Sequence, residues 1–162
     1  MSARQLLSGA AGHVDRVATH YRRLMSTFFV AGSWRNRAAV LDVVAALDQT
    51  GATSYSFVRA EYDAEAAVLA APGGADDAAV DSPAVRKLFE QDLAALRAAE
   101  QFVLVLPAGA AAHVEAGIAF GLGKRCWAVG PVDRSETLYR IFESMAPDAA
   151  GLIDRLRALR VV

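Results

Sequence analysis

Apolar positions follow two periods along this chain. At residues 102–106 (FVLVL) they are continuous, the pattern of a strand buried on both faces, and Pro107 and Gly109 break it. A helix of small residues follows and stops at Gly121 or Gly123. Residues 27–31 (TFFVA) read as a first strand ended by Gly32-Ser33. A helix over residues 34–48 then buries Val40, Leu41, Val44 and Leu47, and Gly51 closes it. Residues 53–58 (TSYSFV), β-branched and aromatic, predict a second strand. Residues 61–71 are alanine-rich and read as a short helix or a flap, and residues 71–81 (APGGADDAAVD) as a loop with no packed stripe. Ser82 followed by Pro83 is an N-cap with proline at the first helical position. That helix runs to about residue 99 and buries Val85, Leu88, Phe89, Leu93 and Leu96. Residues 125–129 predict a fourth strand, ended by Gly130-Pro131. Ser135 caps a helix over residues 135–144 with Leu138, Ile141 and Phe142 inward; an edge strand lies near Met145, and Asp148 caps a last helix through about Leu159.

Strands that alternate with helices argue for a parallel sheet covered on both faces. The expected architecture is α/β: a Rossmann-like, flavodoxin-like three-layer sandwich with a mostly parallel five-stranded sheet, whose crevice lies at the first and central strands. Residues 27–162 form one domain. Residues 1–26 form an N-terminal helical extension, in which Leu6, Val14, Val17, Tyr21 and Leu24 share a face that packs on the sheet or on a second subunit.

Composition removes several classes. The chain has 162 residues, is 54% hydrophobic and 22% charged, and carries a formal net charge of −1, so the basic footprint of a nucleic-acid binder is missing. A single cysteine, Cys126, excludes an intrachain disulfide and a multi-cysteine zinc site. His13 and His20 lie on the N-terminal helix, away from His113, so no compact metal cluster is visible and no cofactor is expected. No apolar run approaches a membrane span, and the N-terminus lacks the apolar core of a signal peptide; the expected location is the cytoplasm.

Three places carry candidate chemistry. Glu115 lies early in the helix after the central strand, where the helix dipole and free N–H groups favour the anion; a carboxylate so placed suits attack on an electrophilic carbon. Asp92 lies on the preceding helix, and two carboxylates in different environments divide nucleophile and acid roles. The corner Gly32-Ser33-Trp34-Arg35-Asn36-Arg37 combines free amides with two arginines, a setting for phosphate or carboxylate. It lacks the spacing of a P-loop or of a dinucleotide fingerprint. Arg59, Glu61, Tyr62 and Asp63 follow the second strand toward the same crevice, Gly109 opens the central turn, and His113 stands within reach of a ligand or of Glu115.

Taken together, residues 91–98, Glu100, the strand 102–106, His113-Val114-Glu115-Ala116-Gly117 and Gly123-Lys124 resemble the nucleoside 2-deoxyribosyltransferases and their hydrolytic relatives, the nucleoside 5′-monophosphate N-glycosidases. Phe28 to Ala31 with Gly32-Ser33-Trp34-Arg35 resembles their first strand and turn, and the likeness spans roughly residues 27 to 145. The resemblance implies a dimer or larger homo-oligomer acting on a small nucleoside or nucleotide without a cofactor. It matches Glu115 to the nucleophile, Asp92 to the acid that assists the leaving base, and Ser33 and Arg35 to the residues that hold the 5′ end. Phe28 and Phe29 stand where the transferases often have tyrosine, and the central turn PAGAAA (residues 107–112) carries neither the acid nor the serine found in many members. Two other readings stay open: a nucleotide-binding module without catalysis, and an NAD-cleaving enzyme similar to the Toll/interleukin-receptor class, which also uses a glutamate.

Overall fold

The computed structural model describes residues 26–62, 67, 69, 78–132 and 136–162. Its five strands are β1 (Thr27–Ala31), β2 (Thr53–Tyr55), β3 (Gln101–Val105), β4 (Arg125–Val129) and β5 (Ser144–Ala146), in the sheet order β2-β1-β3-β4-β5. Every neighbouring pair is parallel. A central parallel strand is covered on both faces and is apolar along most of its length; all five residues of β3 are buried, Gln101 among them. The helices are α1 (Arg37–Asp48), α2 (Pro83–Ala98), α3 (Ala110–Gly121) and α4 (Ala149–Ala158).

The period of two along each strand feeds two cores. Phe28, Val30, Val103, Val105, Trp127 and Val129 pack with α1 and α4 on one face. Phe29, Ala31, Phe102, Leu104, Cys126 and Ala128 pack with α2 and α3 on the other. Helix α3 meets the sheet through Ala112, Ala116 and Ala119, small side chains that let it lie close. The Lys124 ammonium, just past α3, donates to the Arg97 carbonyl at 3.0 Å and to that of Ala99, and so ties the C-terminal ends of α2 and α3 together. Trp127 Nε1 donates to Gln101 Oε1 at 3.0 Å, and Ser26 Oγ to the Val161 carbonyl at 3.0 Å, whereas the buried Ser56 Oγ has no hydrogen-bond partner among the described residues.

The chain leaves β1 toward β2 and leaves β3 in the opposite direction, toward β4. The loops after β1 and β3 therefore part, and their separation opens a crevice at the C-terminal edge of the sheet. The edge is knit by short contacts. Asn36 Nδ2 donates to the Leu106 carbonyl at 2.9 Å, and Leu106 N–H donates to the Val129 carbonyl at 2.7 Å. The Leu106–Pro107 peptide is cis.

The expected sheet is present and is wholly parallel, in the flavodoxin-like order. Several boundaries differ. The second strand was expected over residues 53–58 and ends at Tyr55, because the N–H groups of Arg59 and Ala60 both turn back to the Ser56 carbonyl at 2.9 Å. The first turn expected of α1 is 3₁₀, with α-geometry beginning at Arg37. Instead of a helix over 135–144 there is a 3₁₀ stretch, Thr137–Ile141, and Leu138 is exposed. The chain must extend there so that Glu143 N–H can reach the Cys126 carbonyl at 2.8 Å and β5 can join the edge. Phe89, expected to be buried, is 57% exposed, because α2 buries only Ala84 and Leu96 fully. The caps at Ser82 and Asp148 form as expected, accepting from Val85 N–H at 3.3 Å and Gly151 N–H at 2.8 Å. The predicted helix at 1–25, most of the segment 61–77 and the cap at Ser135 lie outside the described residues. Among the described residues no helix is long and apolar enough to cross a membrane.

Gly130 has φ +110, and a Cβ there would collide with the Leu106 carbonyl oxygen. Gly130→Ala combines backbone strain with that collision and should cost about 2–3 kcal/mol, read as a lowered midpoint in thermal or denaturant unfolding.

Candidate active site

Asp92 interrupts an otherwise apolar row on α2, Leu88, Asp92, Leu96, spaced one helical turn apart, so its carboxylate is carried inward with that row. Tyr55 ends β2 on the same face of the sheet as Phe29, stacked on it at 5.3 Å, and Phe29 stacks on Phe102 at 5.9 Å. This aromatic file aims the Tyr55 hydroxyl at α2. Tyr55 donates to Asp92 Oδ1 at 2.5 Å, and Tyr62 donates to the same oxygen at 2.9 Å. Next to Asp92, Gln91 Nε2 donates to the Glu61 carbonyl at 3.1 Å, so α2 holds the chain after β2 at two consecutive positions.

Glu115 approaches from α3. It flanks the buried row Ala112, Ala116, Ala119 and lies close enough to Asp92 to feel its charge. Burial pushes its carboxyl up to about 8, and the charge of Asp92 pushes in the same direction. Burial also raises Asp92, with the Tyr55 and Tyr62 hydrogen bonds pulling the other way. Both phenols are held well above their ordinary range, by burial first. The dipole argument from the sequence therefore does not govern Glu115. It is the sixth residue of α3, beyond the free amides of the first turn, and desolvation wins. At neutral pH burial favours the protonated form of Glu115.

The other candidates occupy the surrounding edge. Gly32 is needed for close packing: a Cβ there would stand 2.5 Å from Val40 Cγ2. Ser33 Oγ accepts from Arg35 N–H at 3.2 Å, Trp34 meets the ring of Phe57 edge-on at 5.2 Å, and Arg35 is exposed. Arg59 is engaged with Asp48 in an ion pair of 2.5 Å, not with the carboxylate pair. Gly109 is the N-cap of α3, without a side-chain cap and with open space where a Cβ would stand. His113 lies on the far side of α3 from Glu115, since residues two apart on a helix are about 200° apart. Its Nδ1 donates to the Gly109 carbonyl at 2.9 Å, and in the neutral ring Nε2 accepts from the Tyr139 hydroxyl at 3.0 Å. Beside them is a cleft of about 270 Å³ lined by Leu106, Pro107, Ala108, Pro131 and Val132, with His113, Tyr139 and Glu136. Among the described residues no three His, Cys, Asp or Glu side chains form a metal-binding group.

The structure thus brings Glu115 within electrostatic reach of Asp92 and places Tyr55 and Tyr62 on the Asp92 carboxylate. Asn36, which bridges the two turns, and Tyr139 had no local signal. The signal for Asp92 was legible: an acid at an apolar position of a helical row.

A group whose folded proton affinity is raised costs stability once the unfolded form ionises and the folded form does not. For Glu115 that loss develops as pH rises from about 4.5 to about 8. Glu115→Gln removes it. The variant should be more stable than the parent at pH 8, read as a higher unfolding midpoint, with the gap closing near pH 4. A midpoint difference independent of pH would contradict the desolvation of Glu115.

By sequence, the chain matches no protein-family model and no curated protein. By structure it is similar to a 2-deoxyribosyltransferase from Bacillus psychrosaccharolyticus, at TM-score 0.57 and 16% identity over 78% of this chain and 90% of that one. It is also similar to the CMP N-glycosidase BcmB of Clostridium botulinum, at TM-score 0.52 and 15% identity over 82% of this chain and 99% of that one. A conserved protein from Enterococcus faecalis V583 aligns at TM-score 0.56 and 16% identity over 83% of this chain and 99% of that one. The chain has the fold shared by a deoxyribosyltransferase and an N-glycosidase.

Proposed function

We propose that this protein breaks or transfers the N-glycosidic bond of a nucleoside or nucleoside 5′-monophosphate. The reading rests on Glu115 and Asp92, carried by neighbouring helices and both largely buried, with the charge of Asp92 acting on Glu115. Fold neighbours that act on such bonds support it. In the productive form one proton is shared by the pair, with Asp92 as the acid and Glu115 ionised. Glu115 attacks the anomeric carbon while the bond to the base breaks, and the Asp92 proton passes to the base nitrogen. The glycosyl ester on Glu115 is then opened by water, or by a second base, whose proton returns to Asp92. Two displacements give net retention. The amides of the turn Gly32-Ser33-Trp34-Arg35 and the uncapped start of α3 at Gly109 hold the 5′ end, with Arg59 and His113 flanking them.

A homodimer fits the same reading. From Ala110 to Gly121 only His113 and Glu115 are polar, and Val114 and Phe120 are 62% and 54% exposed. A helix that is apolar around its outer face calls for a cover, and a second copy of the chain supplies one. Light scattering should give the dimer mass, and Phe120→Glu the monomer mass.

The deciding experiment follows free base by chromatography after incubation with nucleosides, their 5′-monophosphates and NAD. Glu115→Gln should lower release by at least about 10³-fold without unfolding the protein. Release that survives this substitution removes Glu115 as nucleophile. Thermal stabilisation by nucleotides without release identifies a binding module, and free nicotinamide identifies NAD cleavage.

A further inference from the structure

Asp92 has two carboxylate oxygens, and the structure treats them differently. Oδ1 accepts from Tyr55 at 2.5 Å and from Tyr62 at 2.9 Å. The two hydroxyl oxygens lie 3.3 Å apart. With each hydrogen given to Oδ1, that contact is a consequence of convergence on one acceptor. Two donors fill the two lone pairs of a carboxylate oxygen. A proton on Oδ1 would require one phenol to turn away.

Neither phenol is free to do so. Tyr55 is clamped by the stack on Phe29 and, through it, Phe102. Tyr62 follows directly on Glu61, whose carbonyl is held by Gln91 of α2. The groups facing Asp92 are thus Tyr55 from β2, Tyr62 from the segment after it, Glu115 from α3, and Gln91 beside it on its own helix.

We propose that Tyr55 and Tyr62 are positioning residues that occupy Asp92 Oδ1, so that the proton Asp92 gives to the leaving base is carried on Oδ2. This rests on the glycosidase reading and deepens it. The geometry does two things. It fixes which oxygen presents the proton and so the direction of transfer. It also favours the ionised form of Asp92 against its burial, which makes Asp92 a stronger acid toward the base. When the base departs with the proton, the charge left on Asp92 is already solvated by two phenols, and no water has to enter.

The test is a pair of isosteric changes, Tyr55→Phe and Tyr62→Phe. Each removes one hydroxyl and keeps the ring, so the Phe29 stack survives, and circular dichroism checks the fold. The carboxyl carbon of Asp92, followed by NMR in protein labelled at aspartate, should titrate about one pH unit higher in each variant, and higher still in the double variant. In turnover, the alkaline limb of the pH–kcat profile should move up by a similar amount while the acid limb stays. A lower kcat with both limbs unmoved would mean that the phenols only support the fold. An unmoved Asp92 titration overturns the proposal whether or not the protein releases a base. Loss of base release from the parent protein would sink the glycosidase reading, yet the titration would still decide the role of the phenols.

Discussion

Parallel pairing of β1 with β3 is the contact on which the rest of the molecule depends. The two strands are far apart in the chain, and Phe28 to Ala31 register against Gln101 to Leu104 along almost their whole length. Because each strand is apolar on both faces, only a central position satisfies it, and each then needs helices above and below. The chain meets that need by turning one way after β1 and the other after β3. The crevice at the sheet edge follows from that reversal. Asn36, holding the Leu106 carbonyl, keeps the two turns at a fixed separation across it.

The same packing decides the chemistry. Helices α2 and α3 lie side by side on one face, with Lys124 fastening their far ends. Their inward rows must be apolar to pack, and each carries one carboxylate at that inner edge. Water that would solvate these charges is replaced by aromatic rings and by one another. The result is that burial raises both carboxyls above the ordinary carboxylate range. An exposed glutamate at the same helical position would titrate as an ordinary carboxylate. Desolvation of this kind costs folding stability.

The central turn contributes differently. Its small residues place no side chain in front of α3, so the helix start offers backbone groups alone. His113 faces away from the carboxylates and links the turn at Gly109 to Tyr139, alongside an apolar cleft. Leu106 is the hub of this edge: its carbonyl takes Asn36, its amide reaches β4, and Gly130 must be glycine to pass beside it. The edge of the sheet is thus tied through the Leu106 backbone, by the Asn36 side chain on one side and by β4 on the other.

Much of this was legible in the amino-acid sequence, for a physical reason. Runs such as FVLVL, the Ser82-Pro83 and Asp148 caps and the stripe of α1 are set by near neighbours, so periodicity and turn chemistry reveal them without the fold. The alternation of strands and helices carried the architecture, and the spacing of Glu115 and Asp92 marked both carboxylates. Where local rules met long-range demands, they failed: residues 137–141 coil tightly and then extend because β5 must reach β4, and β2 stops where Ser56 turns the chain. Only the tertiary structure decided that the two carboxylates come within electrostatic reach, that Tyr55 and Tyr62 converge on one oxygen of Asp92, and that burial raises Glu115 where the helix dipole alone would favour the anion. Hydrogen bonds and desolvation depend on which distant elements come together, and that is not written in any one stretch of the chain.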